Sequence, residues 1–293
     1  VRKGRDMNGY EYILAKQTAW AARSSIPLVG SKIERGRKAY TRKLNENLFL
    51  PLLPDVQQSF ATGDGGELGS SLTPGKMQAV HSSSALGVNV FQYWIEQHAV
   101  HVIAALCGLC RSGSTTSEAI RFEEKYPIND SFGYHPNIDV VIHNNQNARF
   151  KRFGIECKFS EAYGVRKHGG LNPKYLELDD LWEDIPSMYG FARTISPDDN
   201  EFRHLHPAQL VKHILGLKRQ CGRDGFRLLY LWYDALGADG ASHRQEVELF
   251  SDIAKQDGIR FHNMTYQGLI VRMQKHLSGE HAEYVNYLAS RYL

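Results

Sequence analysis

The 293-residue chain predicts an α/β fold: a mixed β-sheet core flanked by helices, with a basic, helical region at the N-terminal end. Three observations predict it. Residues 137–142 and 153–160 alternate apolar and polar side chains with the period of two that a strand requires. Residues 226–233 form a dense apolar run, followed by a helical stretch, 244–256, and a second strand-like run, 259–266. A strand–helix–strand unit of that kind favours parallel pairing under helical cover. Ahead of both, residues 84–98 carry Leu86, Val88, Val90, Phe91 and Trp94 on a helix that the serines at 82–84 can cap. Residues 100–111 predict a second helix, ending in the break Ser112-Gly-Ser114.

The two alternating segments are joined by 143–148, a polar, turn-forming run, so they predict an antiparallel hairpin. Ile138, Val140 and Ile142 then face one way, together with Phe153, Ile155, Cys157 and Phe159. Asp139 and Val141, and Gly154, Glu156, Lys158 and Ser160, occupy the other face. Setting Asp139 opposite Glu156 pairs Val140 with Ile155, Ile142 with Phe153 and Ile138 with Cys157. This register joins apolar to apolar and brings two acids and a lysine onto one wall, above a floor that Gly154 leaves open.

Two neighbouring carboxylates resist ionisation unless a cation lies between them. Hard oxygen donors suit Mg2+ or Mn2+, which keep waters and accept phosphate oxygens. Lys158 lies two residues beyond Glu156 on the same face, about 6.5 Å along the strand. There it can orient or deprotonate a water and offset charge on a phosphate. An isolated Glu-x-Lys is usually an ordinary solvated strand face; the preceding Asp on an apolar strand shifts the balance toward phosphodiester hydrolysis.

Pro136-Asn-Ile-Asp139 followed by Glu156-Cys-Lys158 resembles the metal-binding signature of the PD-(D/E)XK nuclease superfamily. The context, Phe122 to Pro127, Gly154 to Tyr163, and His81 to Phe91 upstream, is similar to its restriction-endonuclease-like bacterial families. One departure is that two residues separate Pro136 from Asp139. The resemblance implies a restriction-endonuclease-like core and a Mg2+-dependent DNA endonuclease, with Mn2+ able to substitute. It implies that Asp139 and Glu156 bind the metal, that the Cys157 backbone carbonyl joins them, and that Lys158 assists the water. Products would carry a 5′-phosphate and a 3′-hydroxyl. A restriction role on double-stranded DNA would also imply a homodimer, with one site per strand. It favours Glu123 as a further metal carboxylate over Glu124 and Glu118, which fit surface acids better. Gln209 resembles glutamines that pack near such sites, although a plain polar residue at a helix start is the simpler account. Glu161, just past the strand, can support substrate or water, or pair with Arg152.

Charge distribution adds to this. The net charge is only +3, but residues 1–43 hold eleven Lys and Arg against three acids, a local +8 on a body of −5. Such a basic segment suits either a polyanion-binding arm or a solubilising helix. Arg37 and Lys38 within it, with Arg166, Lys167 and Lys174 in the loop after the catalytic strand, are the candidate DNA contacts. The expected organisation is a basic arm over 1–47, a nuclease domain over 48–293, and an acid-rich insertion at 177–201. Residues 208–221 predict a helix with Leu210, Ile214 and Leu217 inward, and 268–293 predict one or two terminal helices. The longest apolar run, 99–109, is too short for a bilayer, and no signal-type segment is evident, so a cytoplasmic protein is expected. Cys107 and Cys110 have the spacing of a zinc or redox half-site without a second half, and fit better as packed helix residues. Two other functions share these features: a catalytically silent nuclease-like DNA-binding module, and a structure-selective repair or RNA nuclease.

Overall fold

The computed structural model describes residues 7–63, 66–70, 73–165, 168–277 and 279–293. Chain order begins with helix α1 (Gly9–Arg23), a short antiparallel pair β1 (Leu28–Val29) and β2 (Tyr40–Thr41), and helices α2 (Pro54–Thr62), α3 (Ser83–Glu96) and α4 (Val100–Leu106). Strands β3 (Ser117–Lys125), β4 (Asn137–Asn144) and β5 (Arg152–Lys158) come next. Helices α5 (Asp179–Trp182), α6 (Pro186–Thr194) and α7 (Pro207–Cys221) precede β6 (Phe226–Trp232). The chain closes with α8 (Ala238–Gln256), β7 (Phe261–Thr265), α9 (Tyr266–His276) and α10 (Ala282–Tyr292).

Strands β3 to β7 form one five-stranded sheet in sequential order, antiparallel up to β5 and parallel from β5 to β7. The expected mixed sheet flanked by helices is therefore present. Helices α6 to α8 supply the crossovers that parallel strands need. Both faces are covered. Val140, Ile142, Phe153, Ile155, Cys157 and Phe159 pack with α3, α4, α9 and α10. Val141, Leu228, Tyr230 and Trp232 pack with α6, α7 and α8. Gly154 does not open a floor: a Cβ there would come within 2.9 Å of Leu217 Cδ1, so the glycine lets α7 lie close to the sheet.

The hairpin register is the expected one, Val140 opposite Ile155 and Ile142 opposite Phe153. The regular ladder stops there. Ile138 does not pair with Cys157; it packs in the α7-side cluster while Cys157 packs in the other. A matching irregularity lies next door on β3. Glu123 adopts a left-handed φ of 53°, and the β3–β4 ladder pairs Phe122 with Val140 and Glu124 with Ile138 without a Glu123–Asp139 pair. Alternation is broken at that step.

The basic N-terminal segment is not a free arm from Met7 onward. Ile13 and Leu14 are fully buried, and α1 lies against α10. Arg291, itself 1 % exposed, ties the two together: its Nε donates to Gln17 Oε1 at 3.1 Å, its Nη1 to the Asn47 carbonyl at 2.8 Å, and the guanidinium covers Trp20. The 177–201 stretch, expected as an acid-rich insertion, forms the short helices α5 and α6, but Trp182, Ile185, Met188 and Phe191 are core residues. The second upstream helix ends at Leu106, five residues early, and Gly108 then takes a φ of 72°. Helix α8 begins six residues before the expected start, at Ala238. Cys107 is a buried helix-end residue and Cys110 is half-buried, both free thiols. Among the described residues, no helix is long and apolar enough to cross a membrane.

Candidate active site

The site forms where β4 and β5 separate. Asp139 stands one residue beyond the last ladder pair, and its Oδ2 accepts the Cys157 amide at 2.7 Å in place of a backbone bond. That bond anchors the aspartate beside Glu156. N–H and C=O of one strand residue point to the same side, so the Cys157 carbonyl faces the Asp139 side as well.

Glu156 is fully buried and spends both oxygens on cationic or polar partners. Lys158 Nζ is 2.6 Å from Oε1, and His213 Nε2 is 2.7 Å from Oε2. Burial pushes this carboxyl up, but Lys158 and His213 outweigh it and hold it down at about 2. Burial likewise opposes the Lys158 charge, yet Glu156, Asp139 and Glu161 keep the ammonium protonated above its ordinary range. Lys158 is therefore a fixed cation, suited to orient and neutralise rather than to accept a proton. Its second anchor is Gln209, whose Oε1 accepts from Nζ at 3.0 Å. Gln209 and His213 are four residues apart on α7, hence on one helix face, and clamp Lys158 and Glu156 respectively.

The remaining acids are frustrated. Asp139 is raised well above its ordinary value, by burial first and then by the Glu156 charge. Glu123, turned by its left-handed backbone, is pushed up to about 7 by burial, then by Glu67 and Glu156. Glu67 is raised by burial, against a hydrogen bond from Ser84. It lines a cleft of about 270 Å³ with Lys76, His81, Ser84, Ser160 and Glu161. Glu161 accepts the Phe159 amide at 3.3 Å and lies past the opposite end of β5 from Arg152, so that pair does not form. Glu124 turns away to His143 at 2.6 Å. Glu118 is exposed.

Arg37 and Lys38 are exposed on the turn joining β1 to β2; Arg37 lies near enough to His81 to add to the burial that depresses that imidazole. Lys174 Nζ lies 4.2 Å from the Phe132 ring centroid. Arg166 and Lys167 lie outside the described residues. Sequence reasoning missed Glu67, Lys212 and His213. The four-residue spacing of Gln209 and His213 was the available signal for the last, once α7 was known to cover β5.

The donor set suits a hard divalent cation: Asp139 and Glu123 are carboxyl groups without a fixed cationic partner, made costly to ionise by burial first and then by the Glu156 charge, with Glu67 adding at Glu123 and Glu123 adding at Asp139. Among the described residues no three His, Cys, Asp or Glu side chains already form a ligand cage. No curated protein and no solved structure matches the chain. A family model described as restriction endonuclease associating with ARP matches residues 14–293. That span includes every residue of the site, bears out the restriction-endonuclease-like resemblance and brings with it a nuclease-like function. The chain belongs to the family of restriction endonucleases associating with ARP.

Proposed function

We propose that the chain is a metal-dependent endonuclease with a PD-(D/E)XK-type site, hydrolysing phosphodiester bonds of double-stranded DNA in the cytoplasm. The observation that carries the reading is the buried, ionised Glu156 locked against a protonated Lys158, with Asp139 anchored on the intervening Cys157 amide. Asp139, Glu156, the Cys157 carbonyl and Glu123 would hold Mg2+ or Mn2+. Bound there, the ion would polarise the scissile phosphate and make a water more acidic. Lys158 would direct its ammonium at the water and phosphate oxygens and offset developing charge. Gln209 and His213 fix the geometry of that pair. Cutting both strands of a duplex in one binding event would use two such sites, which a homodimer would supply.

Gln209→Leu should leave Lys158 charged but less well aimed. We expect DNA nicking to slow about ten- to hundredfold, the usual cost of losing a supporting hydrogen bond, while Mg2+ affinity measured by calorimetry is unchanged. Equal loss of metal binding would show that Gln209 is not acting through the lysine.

The frustrated acids also set a pH dependence. Because Glu123 has a folded value of about 7, its contribution to stability is complete below its ordinary range and is lost as pH rises through about 7. Asp139 acts in the same direction. Glu156 is opposite: its contribution is present above its ordinary value and lost as pH falls toward about 2. Metal-free protein should therefore melt at a lower temperature as pH rises from about 5 to about 8, and saturating Mg2+ should flatten that decline. A decline that Mg2+ leaves untouched would count against these acids as the metal ligands.

A further inference from the structure

Helix α7 presents one more charged group to the site. Lys212 stands three residues after Gln209 and one before His213 on α7, the helix that packs on β5 and β6, and Glu156 of β5 is the carboxylate that attracts it. Lys212 is half-buried, and among the described residues it has no ion pair and no hydrogen-bond acceptor. Glu156, the carboxylate that attracts it, is in direct contact with Lys158 at 2.6 Å and His213 at 2.7 Å instead. Lys174 and Lys158 are close enough to repel it, and burial disfavours its charge further. Beside it, the rings of His168 and His206 stack with centroids 4.7 Å apart, and His206 also lies within reach of Lys158 and Lys212. Three lysines and two imidazoles thus gather on one flank of Glu156, with the buried Asp199, whose Oδ2 is 3.5 Å from His168 Nδ1, as the carboxylate among them, while Asp139 and Glu123 lie on β4 and β3. Holding unpaired ammonium groups partly out of water is costly unless an anion meets them.

We propose that Lys212, with Lys174 and the His168–His206 pair beside it, forms a second phosphate subsite, holding the backbone phosphate next to the one that is cleaved. This rests on the nuclease reading above. The strand would then run from Asp139 and Glu123, across Lys158, to the basic flank.

The test is equilibrium binding of a duplex oligonucleotide in EDTA across a salt series, for wild type, Lys212→Met and Lys212→Arg, with plasmid nicking in Mg2+ measured alongside. One lost phosphate contact should reduce the slope of log affinity against log salt by about 0.9, equivalent to roughly eightfold weaker binding near 0.1 M salt. Lys212→Arg should keep the wild-type slope. Nicking by Lys212→Met should fall mainly through KM. Lys174→Gln, on a different element, should show a reduced slope too and serves should Lys212→Met fail to fold. Unchanged slopes in Lys212→Met and Lys174→Gln, with wild type nicking normally, would overturn the subsite and leave the nuclease reading standing. Wild type that neither binds nor nicks DNA would overturn both.

Discussion

Asp139→Asn is expected to reduce Mg2+-dependent nicking by on the order of 10³-fold or more, since under the proposed function it would remove a charged oxygen from the metal, worth several kcal/mol in the transition state. The same substitution should raise, not lower, the melting temperature of the metal-free protein. Asp139 is a buried carboxyl, and burial together with the Glu156 charge makes its ionised form costly. An asparagine of the same shape can still accept the Cys157 amide and carries no charge. Opposite signs for activity and stability separate a functional acid from a structural one. A structural aspartate would lose both together, and that outcome would contradict the assignment.

Lys158→Met is expected to be inactive and also markedly unstable. Glu156 is fully buried, and its ionisation depends on the ammonium 2.6 Å away. Removing one member of a buried ion pair typically costs about 3–5 kcal/mol, because the other charge is left uncompensated. Truncating both members is often far milder. The double variant Glu156→Leu/Lys158→Met should therefore recover a large part of the stability lost in Lys158→Met while remaining inactive. Chemical denaturation of the two single variants and the double variant measures the coupling directly. Additive losses would mean that the pair is not the unit described.

The legibility of this protein differs from residue to residue for physical reasons. The β4–β5 register could be read because period-two alternation on two neighbouring runs admits one alignment that pairs apolar with apolar. The approach of Asp139, Glu156 and Lys158 followed from it. What alternation cannot encode is a break in itself. Nothing in Phe122-Glu-Glu-Lys announces the left-handed backbone at Glu123, so the shift of Ile138 to the other cluster was not visible, and the choice of Glu123 among the neighbouring acids came from the family resemblance and not from the alternation. The mistaken role of Gly154 has a similar origin: a small residue in a strand signals close approach, but not whether a substrate or a helix does the approaching.

Helix α7 shows the other limit. Leu210, Ile214 and Leu217 were identifiable as inward, yet Gln209, Lys212 and His213 resemble the polar residues of any amphipathic helix until the sheet beneath them is known. Their positions over the site are tertiary facts. The N-terminal segment misled through its charge. Eleven basic residues suggest a solvated arm, whereas the narrow stripe Ile13, Leu14, Gln17 and Trp20 is what docks α1 on Arg291 and α10.

Incubation of supercoiled plasmid with the purified wild-type chain, in Mg2+ and in EDTA, beside Asp139→Asn at equal concentration, tests the central claim most directly. The account predicts nicked and linear DNA with 5′-phosphate ends from wild type in Mg2+, and intact plasmid in the other two reactions. Cleavage that persists in EDTA, or in Asp139→Asn with Mg2+, would contradict it.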